Sequence, residues 1–331
     1  MDVLSDVLRA VRLTGALYFD VSAAHPWIAT TPSMKQIGTA VMPGAGHVIP
    51  FHVMVSARGW ARPEPEDAAL PAASFEPGDI VMFPHGEGHL LTSDVARWEC
   101  PPPDPSFYAA AAESGEPFTV ISIGGGGERA GFVCGYLGCD ASPFNPLLSA
   151  LPRMLVVKGQ GSDALMRELL RAALEQKASG KAGAATLVAR AGELMFLQAL
   201  RQHMDSLPDS ASGWLAGLRD EQVGRALQLI HAQPAADWSL ASLAKQSGVS
   251  RSVLAERFAR FTGEPPMRYV GRWRMQLAAT LLTDGASVGR VADGVGYRSE
   301  AAFQRAFKKY VGVTCGEWRK RAHHARETAT P

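Results

Sequence analysis

The feature that most constrains this chain is an internal repeat in its last third, from Asp220 to Arg321. Leu243-Ala244, Gly248-Val249-Ser250, Leu254, Phe258, Phe261 and Gly263 return as Val291-Ala292, Gly296-Tyr297, Ser299, Phe303, Phe307, Tyr310 and Gly312. The offset is 48 residues at Ala244/Ala292 and Gly248/Gly296 and 49 at Ser250/Ser299, Phe258/Phe307 and Gly263/Gly312, so one copy has an extra residue in its turn. Each copy reads as helix, tight turn, helix. Ser239 and Ser287 stand where a hydroxyl would take up the free N–H groups of a first helix. Gly248 and Gly296 follow the last apolar position, where a chain leaving a helix through positive φ favours glycine. Ser250 and Ser299 then cap a second helix whose apolar residues, spaced by three and four, share one face. One such unit would also fit a plain helical hairpin. Two in step are helix-turn-helix grammar.

Between the copies, Pro265 to Leu282 carries Tyr269, Trp273, Leu277 and Leu281 along one face, which predicts a connecting helix. About eighteen residues at ~1.5 Å each make a rod of roughly 27 Å. Successive major-groove turns of B-DNA lie roughly 34 Å apart, so the rod and the breadth of the units suit two second helices in adjacent grooves. Charge agrees with this. From Leu218 to Pro331 there are 18 Lys/Arg against 10 Asp/Glu, whereas the first 217 residues carry 15 against 22. A basic C-terminal third is what phosphate neutralisation requires, and the acidic remainder argues against DNA contact there.

This region closely resembles the DNA-binding domain of AraC/XylS-type transcription regulators. The carrying residues are Gly296-Tyr297-x-Ser299-x3-Phe303-x-Arg305-x-Phe307-Lys308, the Gly312-Val313-Thr314 exit and the doubled unit itself. Cys315 stands where the family usually has proline, and Trp318-Arg319 where Tyr-Arg is common. The resemblance implies double-stranded DNA as partner and places Arg251, Ser252 and Glu256 of the first copy, and Glu300, Gln304 and Arg305 of the second, at base-reading positions. The helical pattern independently turns them away from Leu254/Phe258 and Phe303/Phe307. Arg298, Ser299, Lys308 and Lys309 are expected at phosphates. Contact with RNA polymerase is left open.

Residues 15 to 123 read as mostly β, with short apolar runs at Ala16–Phe19, Gly46–Val55, Ile80–Phe83 and Phe118–Ile123 divided by Pro, Gly and Asp, a pattern suited to a barrel or sandwich. Gly78, Pro84, Gly86 and His89 resemble the second motif of the cupin barrel. The first motif is half present: Gly46 and His52 are in place, Met54 occupies the second histidine position and the glutamate is missing. An oxygenase-type cupin needs about four ligands including a carboxylate, so an inherited barrel is expected rather than a catalytic one. His52, Met54 and His89 become candidate pocket residues. Cys134 and Cys139 with His52 and His89 would form a Cys2His2 zinc set; they would equally fit two small buried residues or a redox-responsive thiol pair. His47 and His85 are expected in exposed turns.

Ser162–Lys177 and Ala185–Met204 read as an amphipathic antiparallel pair, expected to join two copies of the chain. Leu207 to Gly213 reads as a linker. The N-terminal stretch lacks a signal peptide's basic start and no run approaches a membrane span; four cysteines suggest no disulfide scaffold. A cytoplasmic homodimer is expected. The reading is a multidomain α+β chain: a cupin-like effector-sensing β-barrel (1–158), a helical dimerisation pair (159–208), a linker (209–217), an all-α double helix-turn-helix domain (218–322) and a tail (323–331). The whole resembles AraC-type regulators with a cupin sensor, which implies a transcription factor answering to a small molecule, metal or oxidant. The competing reading is a cupin-type metalloenzyme fused to a DNA-binding module.

Overall fold

The computed structural model describes residues 2–67, 70–113, 118–140, 143–159 and 183–321, together with Ala172 and Glu175. The chain divides into two compact units. One is residues 13–139 with 151–205; the other joins residues 1–12, 140–150 and 206–331.

Helix α1 (Val3–Ala10) opens the chain, with the Asp2 side chain accepting from the Ser5 N–H as its cap. The β unit then runs through β1 (Thr14–Ala24), β2 (Ile28–Thr31), α2 (Met34–Val41), β3 (His47–Met54), β4 (Gly59–Glu64), β5 (Ala73–Phe75), β6 (Ile80–Met82), β7 (Gly88–Thr92), α3 (Pro105–Glu113), β8 (Phe118–Gly124) and β9 (Arg129–Cys139). After α4 (Pro146–Ala150) of the other unit come β10 (Leu155–Val157) and α5 (Ala184–Ser206). Six strands pair in the order β10-β6-β3-β9-β1-β8 and four in the order β2-β7-β4-β5. All pairs are antiparallel except β1 with β8. The apolar runs are the strands because one face of each is buried: Phe19, Trp27, Phe75, Phe83, Phe132 and Tyr136 meet in a single core. Gly86 makes the turn before β7 at φ 69°, where a Cβ would press on the Val48 carbonyl oxygen. The glycine turn of the second cupin-like motif leads into a His89 that faces the interior.

Two helices inside the predicted β region were not foreseen. For α2 the signal is present: Ser33 and Gln36 form a reciprocal capping box. For α3, Asp104 accepts from the Ser106 N–H just ahead of an alanine-rich run. His47 also departs from the reading. It begins β3, is half-buried and donates from Nε2 to the Pro84 carbonyl at 2.7 Å.

The helical unit contains α6 (Trp214–Arg219), α7 (Glu221–Ala232), α8 (Leu240–Gln246), α9 (Arg251–Thr262), α10 (Pro266–Thr283), α11 (Val288–Gly294) and α12 (Glu300–Val311). The repeat is realised as read. Ser239, Ser250, Ser287 and Ser299 each accept a backbone N–H at a helix start, and Gly248 and Gly296 leave their helices at φ 74° and 79°. Helix α10 spans 18 residues. In the first copy Trp214 Nε1 donates to the Tyr269 hydroxyl at 2.8 Å, and that hydroxyl lies 2.9 Å from His231 Nε2. Burial holds His231 down to about 3, so its neutral ring accepts from the tyrosine. In the second copy Met275, Ala278, Leu282, Val291, Phe303, Phe307 and Cys315 form the core. Cys315 thus fills, as a small apolar group, the position where a proline was expected.

The compact units cut across the expected boundaries in two respects. Residues 2–12 and 140–150 belong with the helical unit, not with 1–158, because they satisfy groups on α10. The Gln276 amide donates from Nε2 to the Ala10 carbonyl at 3.2 Å and accepts from the Phe144 N–H at 3.0 Å. Arg12 pairs with Asp284 at 2.7 Å, and Arg272 lies over the Phe144 ring at 4.0 Å. Second, the stretch 209–217 is a linker only up to Gly213, since Trp214 and Leu215 are buried in α6. Helix α5 is the second helix of the expected pair, while Ser162–Lys177 and the tail 323–331 lie outside the described residues apart from Ala172 and Glu175.

Candidate functional site

Helices α9 and α12 turn one apolar face into the unit and leave the opposite face free. Leu254, Phe258, Phe303 and Phe307 are fully buried. Arg251, Ser252, Glu256, Arg298, Ser299, Glu300, Gln304, Arg305, Lys308 and Lys309 are all exposed. Some are already occupied. Ser299 Oγ accepts from the Ala302 N–H at 3.2 Å, Gln304 Nε2 donates to Glu300 Oε1 at 3.0 Å, and Arg298 pairs with Asp237 at 3.2 Å. Arg305, Lys308 and Lys309 have no ion pair among the described residues, so a cationic edge runs along the outside of α12. On α9 the sequence reading missed Val253. It is 41 % exposed in the first turn beside Ser252, an aliphatic placed where the periodic pattern would be satisfied without it.

His52, Met54 and His89 all face the interior, at 1 %, 0 % and 0 % exposure. They line packed core rather than a pocket: the His89 ring stacks on Phe83 at 3.8 Å between centroids. His52 Nε2 lies 2.7 Å from His89 Nε2, His52 Nδ1 lies 2.9 Å from Cys134 Sγ, and His89 Nδ1 lies 3.0 Å from the Glu87 carbonyl. One assignment of protons satisfies all three contacts. The Cys134 thiol donates to His52 Nδ1, His52 Nε2–H to His89 Nε2, and His89 Nδ1–H to the Glu87 oxygen. Every member is then neutral, which is the state burial favours. It pushes the Cys134 thiol far up, holds His52 well below its ordinary value with help from His89, and brings His89 down to about 4.

The candidate Cys2His2 zinc set is not assembled among the described residues. Among the described residues no group of three or more His, Cys, Asp or Glu is arranged to hold a metal ion. The reason is geometric. His52 directs its two ring nitrogens to opposite partners, and Cys134 and Cys139 sit five residues apart on the continuous strand β9, opposite His52 and His47 respectively. At ~3.3 Å per residue that separates them by roughly 16 Å, too far to share one tetrahedral ion.

A cavity of about 350 Å³ in the β unit lies elsewhere, lined by residues that include Trp27, Trp60, Phe75, Arg58, Arg129, Glu76 and Glu128. None of His52, Met54 or His89 lines it. Arg58 makes a loose pair with Glu76 at 3.8 Å, and Arg129 is exposed without an ion pair among the described residues. Rings beside charges of both signs suit a small amphipathic molecule. These residues come from the β1–β2 turn, the loop before β4, β4 itself, the end of β5 and the start of β9, so no sequence motif announces them.

Residues 2–205 match the family model described as Cupin, and residues 243–321 match one described as Helix-turn-helix domain. An AraC-like transcription regulator of Streptomyces antibioticus is 32 % identical over 322 residues, covering 97 % of this chain and 99 % of that protein. The chain is a cupin-domain AraC-family transcription regulator. The HTH-type transcriptional regulator AlkR of Acinetobacter baylyi is 31 % identical over 240 residues, covering 70 % of this chain and 76 % of its own. The crystal structure of a DNA-binding transcriptional dual regulator from Escherichia coli K-12 matches with 30 % identity and a TM-score of 0.30, covering 32 % of this chain and 96 % of that one.

In this regulator the cupin motif residues thus hold a sheet interior together. Among the described residues no helix is long and apolar enough to cross a membrane. The neutral histidine chain has a consequence for stability. His89 is held near 4 in the folded protein against about 6.5 in an unfolded chain, so below pH 6.5 the unfolded state takes up a proton that the folded state refuses. Unfolding in urea should therefore become easier as pH falls from 6.5 to 4, by up to ~3 kcal/mol from this group, and His89→Gln should flatten that dependence. An equal acid sensitivity in His89→Gln would remove His89 from the explanation.

Proposed function

We propose that the regulator binds a two-part operator by placing α9 and α12 in adjacent major grooves, with its β unit answering to a small organic effector. The observation that carries this is the pair of exposed polar helix faces, each backed by a fully buried aromatic face and displayed by two copies of one unit. Arg251, Ser252 and Glu256 read one half-element; Glu300, Gln304 and Arg305 read the other. Arg298, Ser299, Lys308 and Lys309 hold phosphates. Arg305 is the strongest reader, because a free guanidinium can bond guanine O6 and N7 together, at ~1–3 kcal/mol of discrimination. Arg305→Ala should relax preference at one position without abolishing binding. Lys308→Ala should leave preference intact and lower the slope of log affinity against log salt by about 0.9. Unchanged preference in the first variant, or an unchanged slope in the second, read by fluorescence anisotropy across salt, would reject the corresponding role.

The domain division 1–158, 159–208, 209–217 and 218–322 gives way in this reading to a sensor of two chain segments and a helical unit of three. Helix α5 serves a two-fold interface. Leu187 and Leu194 are seven residues apart and 56 % and 48 % exposed, an apolar ridge that a second copy would cover. Leu194→Glu should convert a dimer into monomers at micromolar concentration without lowering helix content. A monomeric wild type in sedimentation would dismiss the interface.

The effector reading moves from His52, Met54 and His89 to the cleft of Trp60, Arg58 and Arg129, because only the latter offers open volume beside charged groups. Arg129→Ala is exposed and should fold normally, bind DNA as the wild type does, and lose at least tenfold in response to inducing extracts in a reporter strain. A full response would return the effector to another part of the β unit. RNA polymerase contact and a cytoplasmic location fit a regulator of this family.

A further inference from the structure

The connecting helix α10 is not the sole link between the two helix-turn-helix copies. The loop between α7 and α8, residues 233–238, is tied on itself: Ala236 N–H donates to the Gln233 carbonyl at 3.2 Å, Trp238 N–H to the Ala236 carbonyl at 2.7 Å, and Trp238 Nε1 to the Gln233 carbonyl at 2.8 Å. That loop belongs to the first copy. Arg274, halfway along α10, reaches it with both arms of its guanidinium, Nε to the Pro234 carbonyl at 2.7 Å and Nη2 to the Ala236 carbonyl at 2.7 Å. The same guanidinium lies 5.8 Å from the ring centroid of Tyr297, in the turn of the second copy. Next to it Gly296 is pressed so closely on the loop that a Cβ would overlap the backbone of Ala235. The turn glycine of the second copy is therefore required twice, once for its φ of 79° and once for this approach.

Resting on the two-groove reading above, we infer that Arg274 is a spacing-determining residue, whose bridge closes α10, the 233–238 loop and the Gly296 turn into a rigid frame that fixes the separation of the two reading helices. A helix joined to two units at its ends alone leaves each free to rock. A third contact between the units removes that freedom. The bridge depends on a planar fork holding two carbonyls at once, which a lysine ammonium does not reproduce. The exposed Arg298–Asp237 pair at the same junction has both side chains over 90 % exposed and contributes little to the frame.

The consequence is discrimination by distance. One base pair added between half-elements moves them by about 3.4 Å and rotates one against the other by roughly 35°. A rigid frame cannot follow both changes, whereas a loose one can. The test uses the full chain and duplexes selected from a random library, followed by the best duplex with one base pair inserted or removed between its halves. The wild type should enrich two half-elements at a single spacing and lose at least thirtyfold in affinity on either change. Arg274→Ala, and Arg274→Lys as the variant that keeps the charge, should enrich several spacings and lose no more than about threefold, while Arg298→Ala, which removes a phosphate contact, should bind every duplex more weakly and keep the wild-type spacing penalty. A merely structural role would lower affinity on every duplex alike and leave the spacing penalty in place; that result in both Arg274 variants, with native helix content, overturns the inference. A wild-type selection that yields one short element overturns the two-groove reading itself, and the frame with it.

Discussion

Burial of helix α10 from three directions is the constraint on which the helical unit depends. Tyr269, Val270 and Trp273 serve the first copy, Met275, Ala278, Ala279 and Leu282 the second, and Gln276 takes the backbone of the two strapping segments. A helix so enclosed cannot be removed without exposing both cores. Its buried polar group, Gln276, is tolerated because both ends of the amide have partners. The strapping segments, residues 2–12 and 140–150, run directly into β1 and out of β9 in sequence, so the chain itself connects the strands of the β unit to the helix that joins the two helix-turn-helix copies.

The β unit shows the opposite economy. Where a metal-binding cupin would turn histidines and a carboxylate on one ion, this chain uses two histidines and a thiol as a linear relay of neutral hydrogen bonds ending on a backbone oxygen. Burying such groups is tolerable only when every donor finds an acceptor, and the chain from Cys134 to Glu87 meets that condition with one set of tautomers. The interior is thereby filled and polar contact is consumed within it, while the open cleft around Trp60 lies elsewhere in the unit.

The sequence by itself determined the elements whose causes are local. Serine caps, positive-φ glycines and aromatic spacing of three and four specified both helix-turn-helix copies to within a residue or two, and charge separated a basic third from an acidic remainder. The inward histidines were legible because turn glycines and a strand period of two act over a few residues. Tertiary structure decided what depends on residues distant in the chain: that Cys139 lies too far along β9 to join Cys134, that Arg274 spans from α10 to the 233–238 loop, that α1 and residues 140–150 pack with the helical unit, and that the open cleft gathers five segments. The physical reason is that capping and periodicity are set by neighbours within one turn, whereas pairing, burial and cavity shape are set by which surfaces meet after the chain has closed.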